Sequence, residues 1–201
     1  MRFATLTLVA LTMVGSGCGV LDPKPDSSRY FLLRPLAEAG SGPALDDLVL
    51  GVGPMNVPDY LDRTEMIELV GPYEVRYSAQ DRWVEPLGTQ LRRVLAENLM
   101  TLLRPGRVVE YPWYEAERVG LQVEVTFEPI RLDANGAWTG DAFWLVRDGS
   151  SHEEVARGAF AMELGSTPVD GNGVAARLSE EVRRMSGEIA VAVRGQHGMR
   201  R

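Results

Sequence analysis

Cys18 is the only thiol in a chain of 201 residues, and it stands in Val14-Gly15-Ser16-Gly17-Cys18-Gly19-Val20, directly after an apolar run. Other reactive side chains are sparse. The only histidines, His152 and His197, lie near a turn and in the C-terminal tail, and they assemble neither a metal cluster nor a nucleophile–His pair. No G-x-S-x-G elbow occurs. Asp59 and Asp62, in Pro58-Asp59-Tyr60-Leu61-Asp62-Arg63, are the most suggestive pair of acids. General acid–base work would need one of them buried with a raised pKa, whereas Arg63 next door favours the ionised form; structural pairing at a loop is the other reading. Gly171-Asn172-Gly173 with Ala176 fits G-x-G-x-x-A, yet no apolar strand precedes it and no acid follows about twenty residues on. These glycines fit the loop before the last helix better. Asp133-Ala134-Asn135-Gly136 resembles the start of a calcium loop, but Ala137 and Trp144 hold the later ligand positions, and a hairpin turn is the better fit. No catalytic residue, metal or cofactor is assigned.

The leader explains the thiol. Met1 and Arg2 precede residues 3–14, a stretch without charge. A membrane-spanning helix needs about 20 residues, so residues 1–17 read as an export signal. In an exported protein a lone thiol is free, paired with another chain or modified. Residues 14–18 resemble a bacterial lipobox, in which small residues precede a cysteine that receives diacylglycerol; Gly15 stands where Leu or Val is usual. Cys18 is thus the expected lipid anchor, the one covalent group this chain is expected to carry. Each buried methylene contributes about 0.8 kcal/mol and one chain binds only marginally, so two or three chains hold firmly. Gly19 replaces the Asp that retains lipoproteins at the inner membrane, which favours the outer one.

Loss of residues 1–17 removes one arginine and no acid, leaving 20 basic and 28 acidic residues, a formal charge of −8. Such a body is repelled by anionic lipid and offers no basic footprint to nucleic acid. Residues 18–29, rich in Pro, Asp and Ser, read as the lipidated N-terminus and a semi-extended tether.

Beyond the tether the pattern is globular. Short strands are expected at 30–33, 48–57, 66–70, 74–77 and 107–111, with Pro54 marking an edge or a bulge and Gly71-Pro72 a turn. Residues 82–103 carry Trp83, Leu87, Leu91, Val94, Leu95, Leu99, Leu102 and Leu103 on one helical stripe, with Arg92, Arg93, Glu97 and Asn98 mostly opposite; Pro105-Gly106 ends it. Leu121, Val123, Val125 and Phe127 alternate with polar residues, the signature of a half-buried strand. Strands at 138–147 and 155–164 complete an antiparallel meander turned by Asn135-Gly136. Val174, Leu178, Val182, Met185, Ile189 and Val193 space a second long helix, and residues 196–201 read as a disordered tail. The sum is one α+β domain over residues 30–195: a mostly antiparallel sheet with two long amphipathic helices packed on one face.

Two stretches carry a resemblance. Pro58, Tyr60, Leu61, Asp62 and Arg63, then Tyr77, Arg82, Trp83, Pro86 and Leu87 ahead of the leucine-rich helix, resemble the ABC-type transport auxiliary lipoprotein component family, the PqiC/YmbA-like proteins. The strand Tyr30-Phe31-Leu32-Leu33 soon after a lipobox is similar to the family's start. The resemblance implies a periplasm-facing lipoprotein of the outer membrane. It also implies a non-enzymatic docking subunit of an MCE-type intermembrane lipid transport system, with an MCE-type substrate-binding protein as partner. A homo-oligomeric ring would suit docking on a tubular partner. Tyr60, Arg63, Arg82 and Trp83 are the candidate partner-binding residues, because aromatics and arginine anchor interfaces. Their other reading is structural, with Trp83 opening the core helix and Arg82 paired to an acid such as Asp62. Two rival functions remain: a carrier that encloses a lipid between helix and sheet, which requires an apolar pocket of several hundred Å³, and an envelope hydrolase.

Overall fold

The computed structural model describes residues 26–35, 37–114, 118–132, 137–165 and 170–199. Cys18, the leader, most of the tether and the Asn135-Gly136 turn lie outside these residues. In chain order the elements are β1 (Arg29–Phe31), β2 (Leu45–Asn56), β3 (Glu65–Gly71), β4 (Glu74–Trp83), α1 (Leu87–Leu103), β5 (Pro105–Glu110), β6 (Leu121–Phe127), β7 (Arg131–Leu132), β8 (Trp138–Asp148), β9 (Glu154–Gly165) and α2 (Gly171–Met199).

The strands form two mixed sheets rather than the mostly antiparallel one expected. A small sheet has the order β1-β4-β3, with β1 parallel to β4 and β3 antiparallel to it. The larger sheet runs β5-β2-β6-β8, with β7 and β9 both on β8. Here β5 and β6 flank β2 in parallel, while β6, β8 and β9 form the expected antiparallel meander. Parallel pairing requires a crossover, and α1 lies on the route from β2 to β5. Residue alternation reports which face is buried, not which way the neighbouring strand runs, so this part of the topology was not legible.

Pro54 marks a bulge, not an edge. β2 is paired on both sides, and its register on β6 shifts between Val52 and Met55. Gly53 takes φ +117° there, a conformation open to glycine, and its carbonyl accepts a hydrogen bond from Gln122 Nε2 at 3.1 Å.

α1 begins five residues later than the stripe suggests. Arg82 and Trp83 end β4, and Pro86, with φ −49° and ψ 140°, stands at the helix N-cap. Proline favours an extended residue before it, which separates strand from helix. Leu87, Leu91, Val94, Leu95, Leu99 and Leu103 are buried as the stripe requires. Arg104 then takes a left-handed conformation and its N–H bonds to Met100 O.

Two polar residues of α1, Gln90 and Asn98, are completely buried; Asn98 was expected outside. Gln90 Oε1 accepts from the Leu33 amide at 2.8 Å and Nε2 donates to Glu85 O at 3.1 Å. Asn98 Oδ1 accepts from the Ala37 amide and Nδ2 donates to Ser186 Oγ on α2, each at 3.1 Å. The side chains thereby satisfy the backbone of the segment after β1, which has no strand partner at those positions.

α1 packs against α2, β2 and β5, and α2 packs against β9. The tail also departs from expectation. α2 continues to Met199, and His197 is buried with Nε2 3.1 Å from Asp47 Oδ1.

Candidate functional site

The two motifs, some twenty residues apart in the chain, meet in space. Leu61 and Trp83 are both buried in the core, and the Trp83 amide donates to Thr64 O at 2.6 Å. Asp62 Oδ1 accepts from the Gly88 amide at 2.8 Å. Pro86 offers α1 no side-chain cap, so this carboxylate from another loop does that work, and its charge suits the positive end of the helix. Tyr60 Oη accepts from the Ile130 amide at 3.0 Å, tying the loop to the segment after β6. The Arg63 guanidinium lies 4.8 Å from the centre of the Tyr77 ring. Arg63 and Arg82 converge on Glu65, at 3.5 and 3.1 Å.

This arrangement assigns the expected partner-binding residues unequal roles. Trp83, 4% exposed, is core, though it closes a strand rather than opening the helix. Tyr60 is half-buried and spends its hydroxyl on the backbone. Arg82 pairs with Glu65 instead of Asp62. Arg63 keeps half of its side-chain surface open and is the most available of the four. Of the proposed acid pair, Asp59 is exposed and Asp62 is committed to Gly88, so the two form no acid–base dyad.

Asp62→Ala removes the side-chain cap on the Gly88 amide and should cost about 0.5–2 kcal/mol, read as a lower denaturation midpoint with unchanged m value. Asp62→Asn should recover most of it.

Glu65 ionises more readily than an ordinary Glu of pKa 4.5, first because its own backbone amide bonds the carboxylate, then through Arg82 and Arg63. A depressed folded-state pKa gives a contribution that is complete above the unfolded value and disappears as pH falls through the folded one. The stability gap between wild type and Glu65→Gln should therefore narrow as pH falls below 4.5. A gap independent of pH in acid denaturation curves would contradict this.

Beside the knot lies a cavity of about 650 Å³. Leu61, Met66, Trp83, Leu87 and Leu91 close one side, and Met162, Val174 and Leu178 another, so it sits between the small sheet and the amino ends of both helices. Glu65, Glu68, Asp81, Arg29 and Arg177 stand among its polar lining. Both guanidinium groups are engaged: Arg29 with Asp81 at 2.7 Å, and Arg177 with Leu164 O. The composition pattern did not reveal the cavity, because its lining comes from distant elements that each read as ordinary core.

The G-x-G-x-x-A stretch begins α2. Asp170 Oδ1 accepts from the Gly173 amide at 3.0 Å, and the Phe31 ring lies where a Cβ on Gly171 would go, 2.4 Å away. A larger residue there would displace β1. Among the described residues no group of three or more His, Cys, Asp or Glu could hold a metal ion, and no helix is long and apolar enough to cross a membrane.

The family model described as "ABC-type transport auxiliary lipoprotein component" matches residues 30–190. Similar curated relatives are the "Intermembrane transport lipoprotein PqiC" of Escherichia coli (strain K12) and that of Shigella flexneri. Each is 29% identical over 143 residues, covering 70% of this chain and 72% of the relative. A crystal structure of a Xanthomonas campestris protein superposes with a TM-score of 0.63 at 15% identity, covering 85% of this chain and 99% of that one. A second crystal structure gives 0.61 at 21% identity, covering 83% and 99%. These two share the fold.

Proposed function

This chain belongs to the ABC-type transport auxiliary lipoprotein component family, and on that premise we propose that it is a non-enzymatic docking subunit of an MCE-type intermembrane lipid transport system. It is held by acyl chains on Cys18 at the periplasmic face of the outer membrane. One observation carries the reading: a family match over residues 30–190 follows a leader whose only cysteine stands where a lipobox would place it. The chemistry of the motif residues agrees with it, because Tyr60, Asp62, Arg82 and Trp83 serve the scaffold. Several copies form a ring around the partner.

The test is a crosslinked pull-down from separated inner and outer membranes, with wild type and Cys18→Ala side by side. An MCE-type protein should be recovered with the wild type from the outer-membrane fraction. If none is recovered, the transport assignment loses its support. Native mass of the extracted protein tests the ring.

A second reading, a carrier that encloses lipid, is favoured by the cavity, whose 650 Å³ falls within the roughly 300–1,000 Å³ of small-molecule pockets. Native mass spectrometry should then show a retained lipid that Leu91→Trp, which fills the space, displaces. A lipid-free spectrum for wild type leaves docking as the sole role.

A further inference from the structure

We infer that the tip of the β3–β4 hairpin touches the same bilayer that holds the acyl anchor, giving the body a second point of attachment. The inference rests on the lipoprotein reading of Cys18. The tip, Leu69-Val70-Gly71-Pro72-Tyr73-Glu74-Val75, has one charge in seven residues. It turns through Pro72 and Tyr73, with Gly71 opposite Glu74. Val70 and Val75 are each 41% exposed and Tyr73 102%, so among the described residues the turn stands open to solvent. Exposed apolar clusters mark contact sites, and tyrosine favours the membrane–water boundary because its ring is apolar and its hydroxyl wet.

The direction of the chain selects a bilayer as the occupant. β1 runs parallel to β4, with Arg29 opposite Asp81 and Phe31 opposite Trp83. Followed backwards from Arg29, the chain therefore leaves toward the start of β4, which is the tip. Ser27 Oγ, still beside β4, accepts from Gln80 Nε2 at 3.2 Å. From Asp81 back to Tyr73 is eight residues, about 26 Å of strand. From Arg29 back to Cys18 is eleven residues, a reach of up to about 36–40 Å. A tether of that length, leaving in that direction, lets an anchor at Cys18 reach the plane of the tip.

Charge decides what kind of bilayer surface is met. The mature chain carries a formal −8 and is repelled by anionic lipid. At the tip, Glu68 faces Arg76 across the ladder and only Glu74 is left over, so a zwitterionic surface suits it best. Two points of contact orient the domain where one flexible tether would let it tumble.

Cysteine labelling tests this, because an acylated Cys18 has no free thiol. Tyr73→Cys and Ser150→Cys, each in the full-length acylated protein, are coupled to bimane. Ser150 turns the β8–β9 hairpin, and β8 runs from Asp148 back to Trp138 at the cavity beside β3, ten steps or about 34 Å. Both proteins are reconstituted in vesicles of phosphatidylcholine and phosphatidylethanolamine with brominated acyl chains. Bimane at 73 should shift to the blue and be quenched relative to unbrominated vesicles, and bimane at 150 should do neither. Equal behaviour at both sites, or a shift at 73 without quenching, overturns the membrane contact; a shift that grows with protein density identifies a second copy as the occupant instead. Wild type carried through the same labelling reports the premise separately. Bimane uptake by wild type means a free Cys18, and the lipoprotein reading then fails together with what rests on it.

Discussion

Cys18→Ala is expected to move the protein from the membrane fraction into the soluble one while leaving its fold unchanged. The reason is the difference between one kind of attachment and another. Each methylene in the bilayer contributes about 0.8 kcal/mol, so two or three acyl chains outweigh any contact a hairpin tip could make. The body adds no spanning helix among the described residues, and the acidic balance of the chain, a formal −7 over the whole sequence, opposes an anionic surface. Cell fractionation and incorporation of labelled palmitate measure the effect, and circular dichroism with thermal unfolding controls for folding. Retention of the alanine variant in membranes would mean that another part of the chain holds it there.

Trp83→Ala is expected to cost about 3–5 kcal/mol, the range for removing a buried aromatic side chain. Against a total stability of about 5–15 kcal/mol this is severe. Trp83 is opposite Phe31 in the small sheet, belongs to the core with Leu61 and Leu87, and lines the cavity. Its loss opens the place where the small sheet meets the first helix. Arg63→Ala provides the contrast. Of its contacts, Tyr77 is exposed and Glu65 half-buried, and such surface pairs contribute about 1 kcal/mol or less. A docking residue would lose the partner in pull-downs at nearly constant stability, whereas a scaffold residue would lose both. Urea denaturation of the two variants, read beside partner recovery, therefore separates recognition from folding within the same knot.

The motif residues illustrate how far sequence reading reaches. The pair Asp62 and Arg82 was assignable to structural roles, yet their partners were not: Asp62 serves Gly88, twenty-six residues on, and Arg82 serves Glu65. The leucine stripe was legible because side chains three and four apart share a helix face, but the same stripe absorbed Trp83, which belongs to a strand. Pro86 was the available signal for that boundary, since the residue before a proline is biased to extended backbone. Gln90 and Asn98 carried no signal, as a buried amide is recognisable only when the backbone it satisfies is in place.

Local chemistry in the chain is enough to point to the acylation candidate, the two long helices and the β6–β8–β9 meander. These depend on residues within a few positions of one another, where period and spacing act directly. The parallel pairing of β2 with β5 and β6 and of β1 with β4, the meeting of the two motifs and the cavity came from the packed molecule. They depend on which distant segments lie side by side, and that is chosen by the free energy of the whole core rather than by any stretch of it.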